Sequence, residues 1–275
     1  MITENPIRSW PATRVLPTAR KESQEDLAVE EPLEILLEYS SENGRMRKAI
    51  TVTLRTPGSE HALALGFLYA EGIIQRVEQV DFIKNIGQDP NRVLVVLKVQ
   101  EKPNLQFMHR NFLSTASCGL CGKISADAVY LRQVNCQPTS FSMSSEKIYQ
   151  FPRKFGEMQQ LFSRTGGIHA AALLDYQGDI ILVQEDIGRH NAVDKVIGAA
   201  LQEKLDLNAY ILLLSGRAGF ELIQKAVRAG IGFVAAMGAP SSMAVELAEE
   251  AGITLVGFLK SDRFTIYSNP ARIVG

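Results

Sequence analysis

The chain has 275 residues, 46% hydrophobic and 21% charged, enough to bury one or two cores. Its 29 Lys and Arg against 30 Asp and Glu give a formal charge of -1, which excludes a global basic field for nucleic acid or an anionic membrane, so any anionic ligand must be held locally. The start, Met1 to Pro6, has neither a basic n-region nor an apolar h-region, and no run is long enough to span a bilayer. A cytoplasmic location is therefore expected, where three cysteines read as reduced thiols rather than a disulfide framework.

Residues 1–25 mix Pro6, Pro11 and Pro17 with scattered charges and read as an extended arm with no core role. A small α+β unit is expected over 26–113. It opens with a hairpin of strands at 33–39 and 49–54 around the polar stretch 40–47. A helix follows, with Ser59 as its N-cap and its end near Gly72, and then strands near 80–86 and 93–99. Residues 114–143 form a linker. From 144 to 275 the pattern becomes α/β: a helix to about Phe162, interrupted near Pro152, then a hairpin of strands at 169–175 and 179–185. Helices at 192–205, 218–229 and 243–251 alternate with apolar strands at 209–214, 232–236 and 253–258, typical of a sheet covered on both faces. A last strand, 264–267, is expected at the edge.

If strand 179–185 runs parallel to the three later ones, their carboxyl ends open on one edge, where open α/β sheets bind ligands. The loops there carry Arg189 and His190, Ser215 and Arg217, Ser241, and Lys260 to Arg263; His169 joins them if it lies opposite Glu185. Three of these loops open helices. Their backbone N–H groups, hydroxyls and guanidiniums suit a phosphate or pyrophosphate, so an anionic, nucleotide-like ligand is expected. The position of His169 and His190 beside Glu185 and Asp186 favours function over a structural role. Arg189, Arg217 and Arg263 read as ligand contacts rather than surface charges. Phe220, Ile223 and Val227 are core, and His61 and His109 carry no case for a function.

Between the two units lies Ser117-Cys118-Gly119-Leu120-Cys121-Gly122, with a glycine after each cysteine. Thiolate character, raised by neighbours such as Arg110 or Lys123, suits sulfur relay: one cysteine takes a sulfane sulfur as a persulfide and a neighbour holds, passes on or resolves it. A structural zinc site needs four ligands and finds only Cys136 and His109 nearby, so no metal is assigned; Cys136 itself reads as packing. A thioredoxin-type centre would follow a strand and open a helix early in its fold, unlike this linker position.

Taken together, Glu31-Pro32-Leu33-Glu34-Ile35, the Cys118 to Gly122 loop, Thr165-Gly166-Gly167-Ile168-His169-Ala170-Ala171-Ala172, Glu185-Asp186-Ile187-Gly188-Arg189-His190-Asn191-Ala192-Val193-Asp194-Lys195, Ser215-Gly216-Arg217-Ala218 and Ala239-Pro240-Ser241-Ser242 resemble the FdhD/NarQ family of formate dehydrogenase accessory sulfurtransferases. The resemblance implies that a cysteine desulfurase loads Cys118, with Cys121 as its partner. The sulfur would then pass to bis-molybdopterin guanine dinucleotide before that cofactor enters formate dehydrogenase. It also implies a cofactor-contacting segment at Phe258, Leu259, Lys260, Ser261, Asp262 and Arg263. The implied fold is a cytidine deaminase-like three-layer α/β domain with a smaller N-terminal α+β domain, in homodimers. Zinc-dependent deamination is not expected, because no H-x-E element precedes the CxxC and the leading proline is absent. The rival reading is a chaperone that holds the cofactor without covalent chemistry.

Overall fold

The computed structural model describes residues 5–42, 44–105 and 141–275. Cys118, Cys121 and Cys136 lie outside them.

The proline-bearing start forms two paired strands, β1 (Ile7–Leu16) and β2 (Ala19–Ala28), in unbroken antiparallel register from Ile7↔Ala28 to Leu16↔Ala19. The expected extended arm is thus a paired ribbon, and its base contributes one buried residue, Ile7. The separate two-stranded sheet leaves Pro11 on a strand with an unpaired edge, where a missing N–H is tolerated. The ribbon is fastened at its base by buried Ile7 and Val29 and by Asp26, which takes two bonds from Arg164.

A four-stranded sheet follows in the order β4-β3-β6-β5, from β3 (Glu31–Ser41), β4 (Gly44–Arg55), β5 (Val80–Ile86) and β6 (Asp89–Leu97). Alternate residues Leu33, Ile35, Leu37 and Tyr39 of β3 share a core with Val93, Val95 and Leu97 of β6. That core is closed by α1 (Glu60–Ala70). Ser59 stands at the N-cap position as expected, but in the left-handed region (φ 60°) and without a side-chain cap bond; Glu60 instead accepts from Gly58 N at 2.6 Å.

Short elements lead into the larger sheet: β7 (Met143–Ser144), α2 (Ser145–Ile148), α3 (Phe151–Met158) and α4 (Gln160–Thr165). Pro152 sits in the first turn of α3, where its missing N–H is harmless; the expected interruption falls just before it, at Tyr149 and Gln150, and a second break at Gln159 separates α4. The sheet itself runs β13-β12-β11-β10-β8-β9, from β8 (His169–Leu174), β9 (Ile180–Asp186), β10 (Ile211–Leu214), β11 (Phe233–Ala236), β12 (Thr254–Gly257) and β13 (Thr265–Ser268). A short β14 (Ile273–Val274) pairs with β7.

Both faces of the sheet are covered. Helices α5 (Arg189–Gln202), α6 (Phe220–Ala229) and α7 (Ser242–Glu250) enclose one core with Leu173, Leu212, Val234 and Leu255. Ile148, Phe151 and Phe155 close the other with Leu174, Leu213, Phe233 and Val256. Strands four residues long and wholly apolar are what this double burial requires.

The two sheets are joined where α1 crosses α5. A Cβ on Gly66 would lie 1.9 Å from the Asp194 carbonyl oxygen, and one on Gly198 would lie 1.9 Å from that of Ala62. Only glycine permits this backbone approach. Beside it runs a buried polar seam. Asp186 pairs with Lys195 at 2.7 Å and accepts from Thr56 N; Lys195 also donates to the Thr56 carbonyl, and Asn191 donates to that of Leu54. Asp194 holds Lys225 at 2.7 Å, and burial pushes the Asp194 carboxyl up to about 6 against the pull of that cation. Such pairs add little net stability against an apolar pair, but losing one partner costs about 3–5 kcal/mol, which fixes α5 against β9 and α6.

Candidate functional site: a cationic edge of the larger sheet

Strand β10 is parallel to β11, and β11 to β12; β8 is antiparallel to β10 and β9 antiparallel to β8. Strand β9 therefore points the same way as β10, β11 and β12, and their carboxyl ends share one edge. The antiparallel β8 starts there, with His169 opposite Asp186 rather than the expected Glu185; an irregularity in the pairing at Leu173/Leu174 offsets the register by one.

Backbone bonds lock the edge loops to one another. Gly238 N donates to Gly216 O, Ala218 N to Ala239 O, Ser241 N to Ala218 O and Phe258 N to Gly238 O. Gly238 is required here, since a Cβ would meet Arg217 N at 2.9 Å and the Gly216 carbonyl at 3.0 Å. The 215–219 loop is thus a fixed platform for Arg217, whose guanidinium is exposed and has no ion pair among the described residues.

His169 is half-buried and lies against Gly216. Burial, then the charges of Arg189, His190 and Arg217, hold its imidazole below the usual histidine range, and Asp186 only partly opposes them. Arg189 and His190 occupy the first turn of α5, whose N-cap Gly188 supplies no side-chain cap; α6 opens on Gly219 in the same way. These uncapped N–H ends, two arginines without ion pairs among the described residues, and two imidazoles make a site for a polyanion.

The remaining sequence-predicted residues divide. Ser215 accepts from Ala170 N at 2.8 Å and Ser241 caps α7 through Ala244 N at 3.3 Å, so both hydroxyls first serve the backbone. Phe258 is exposed in a left-handed conformation (φ 52°). Leu259 departs from expectation: its side chain is fully buried in the core below and offers the edge no surface. Lys260 N bonds to Arg263 O, closing a surface turn, and exposed Arg263 pairs with Asp262 at 3.4 Å on the rim. Glu185 and Asp186, whose place beside His169 and His190 favoured function for those rings, are themselves taken up by the fold. Glu185 accepts from Leu161 N and Phe162 N at the start of α4, and Asp186 is wholly buried.

One acidic residue at the edge was missed. Glu221, in the first turn of α6, lies 3.0 Å from Nε2 of His190. Its one sequence signal is an acid four residues after Arg217 at a helix start, which the apolar stripe of α6 obscured. Among the described residues no cluster of three His, Cys, Asp or Glu side chains could hold a metal ion, and no helix is long and apolar enough to cross a membrane.

The fold and this edge define a mixed α/β protein with a cluster of cationic side chains and open helix starts at the carboxyl ends of its strands. The pattern that defines the FdhD/NarQ family matches residues 28–274, and the chain belongs to that family. It is 46% identical over 259 residues to the sulfur carrier protein FdhD of Mycolicibacterium paratuberculosis, covering 90% of this chain and 92% of that one. The protein of the same name from Saccharolobus solfataricus is 35% identical over 268 residues, covering 97% and 98%. A solved structure from Desulfotalea psychrophila, described as a formate dehydrogenase accessory protein, shares the fold with a TM-score of 0.74 at 23% identity, covering 98% of this chain and all of that one.

Proposed function

We propose that the chain is a sulfurtransferase that carries persulfide sulfur on Cys118 to the molybdenum cofactor of a formate dehydrogenase. A cysteine desulfurase is the donor and bis-molybdopterin guanine dinucleotide is the substrate bound at the cationic edge. The observation that carries this reading is the conjunction of family membership with that edge. Arg189, Arg217 and the uncapped starts of α5 and α6 match the phosphates of a guanine dinucleotide.

In the loading step the Cys118 thiolate attacks the outer sulfur of the donor persulfide. An S–S bond forms to Cys118, the donor S–S bond breaks, and the donor leaves as a thiolate, with no net redox change. Release of that sulfur as sulfide needs two electrons. Cys121 supplies them by attacking the inner sulfur, which closes a Cys118 to Cys121 disulfide and frees HS⁻. The edge residues bind and orient the substrate while this occurs.

The protein acts in the cytoplasm as a homodimer, and its six-stranded unit is of the cytidine deaminase type, a likeness supported by helices on both faces of the sheet. Expressed in cells that lack their own family member but make formate dehydrogenase, the wild-type protein is expected to restore formate oxidation and Cys118→Ala to restore none. Full restoration by Cys118→Ala would leave a cofactor-holding chaperone as the reading.

A further inference from the structure

We propose that Glu221 is a positioning residue of the cationic edge: by holding Nε2 of His190 it presents Nδ1 of the same ring to a phosphoryl oxygen of the bound ligand. This rests on the anion-site reading above and assigns one of its parts.

The argument starts from a carboxylate where an anion site should not want one. Glu221 Oε2 lies 3.0 Å from His190 Nε2, and the two side chains are only 12% and 15% exposed. Its other oxygen, Oε1, is buried with no hydrogen-bond partner among the described residues. The hydrogen bonding of this acid is therefore directed entirely at His190, and leaving Oε1 unsatisfied costs about 1–3 kcal/mol. Its place in the first turn of α6 offsets part of that cost through the helix dipole.

An ionised carboxylate only accepts, so Glu221 selects the ring form that carries a proton on Nε2 and leaves Nδ1 for a second partner. Among the described residues Nδ1 has no partner. A dianionic phosphoryl group arriving beside Arg189 and Arg217 draws one proton from solvent onto Nδ1. That nitrogen then becomes a charged donor to phosphate, while Glu221 balances the new charge across the ring. No covalent bond changes. The charged groups electrostatically linked to His190 are His169 on β8, whose ring also feels Arg189 and Arg217, and Asp194 on α5, itself held by Lys225. A mere pin between α5 and α6 would change stability without coupling the two residues in anion affinity.

The test compares wild type, Glu221→Ala, Glu221→Gln, His190→Asn and the Glu221→Ala, His190→Asn double variant. It uses calorimetric titration with inorganic pyrophosphate and ¹⁵N NMR of the His190 ring. Loss of the alanine variant's acceptor is expected to weaken pyrophosphate binding about tenfold and to leave the ring averaging between tautomers. Gln, which keeps a carbonyl acceptor, should restore the Nε2–H form and bring affinity to within about threefold of wild type. The double variant should bind no more weakly than His190→Asn alone, because the two act as one unit. Wild-type affinity in Glu221→Ala, an affinity loss with the His190 tautomer unchanged, or additive losses in the double variant would each overturn the proposal. Absence of pyrophosphate binding by the wild type would instead refute the anion-site reading, and the positioning role with it.

Discussion

Replacing Gly198 by alanine is expected to destabilise the protein by about 3 kcal/mol, the upper part of the range for overpacking a close-packed contact. The new methyl would stand 1.9 Å from the Ala62 carbonyl oxygen. That obstacle is backbone of α1, so relief requires the two helices to separate. Separation would strain the bonds that tie α5 to β4, including Lys195 to the Thr56 carbonyl at 2.8 Å and Asn191 to that of Leu54 at 2.7 Å. Alanine's better helix propensity returns only about 1 kcal/mol. For a chain of this length a loss of about 2–3 kcal/mol lowers the melting temperature by roughly 5–8 °C. Gly156 in α3 is the internal control, since nothing lies within 4 Å of a Cβ built there and alanine should be neutral or mildly stabilising. Thermal melts of the two variants decide the matter; a Gly198→Ala protein that melts with the wild type would show that the helices do not cross as described.

Removing both Arg189 and Arg217 is expected to weaken binding of guanosine diphosphate about 100-fold. On the proposed reading each would supply a charge-assisted bond to phosphate, and even about 1.4 kcal/mol from each gives that factor. Arg263→Ala should cost less than about threefold, because an exposed rim charge already paired with Asp262 is screened by water and salt. The same site should respond to pH through His169. Its imidazole is held below the usual range in the free protein, chiefly by burial and then by Arg189, His190 and Arg217. A bound anion favours its protonated form, so affinity rises as pH falls through the ordinary histidine range and levels off only below it, where the imidazole of the free protein also protonates. Sulfate is the probe for this, since its own charge does not change over that span. Isothermal titration of wild type and His169→Asn should give a slope in the first and a flatter profile in the second. Equal affinity in wild type and the Arg189, Arg217 double variant would remove the anion site from this edge.

Much of the larger sheet was legible in the sequence because its strands are short and uniformly apolar, and its helices are punctuated by Gly188, Gly219 and Ser241. The converging edge followed from the parallel order alone. Two features stayed hidden for physical reasons. The β1–β2 ribbon has almost no apolar alternation, since neither face is buried along most of its length, so hydrophobic period had nothing to report. The buried charges drew no reading of their own in the sequence, yet Asp186 of β9 and Asp194, Lys195 and Lys225 of the helices pair in the interior. Whether a charge is buried depends on a partner remote in sequence, as with Asp194 and Lys225, and no local pattern encodes that. Leu259 shows the converse: its apolar side chain fills the core, although the segment around it lies at the edge.

Transfer of sulfur to Cys118 can be read directly as a change of mass. The purified protein would be incubated with a competent cysteine desulfurase and cysteine, and wild type, Cys118→Ala and Cys121→Ala compared by intact-protein mass spectrometry. A reductant-labile gain of one sulfur atom on wild type that vanishes in Cys118→Ala is the predicted result. No gain on any of the three, with the donor active on another acceptor, would contradict the sulfur-carrier account.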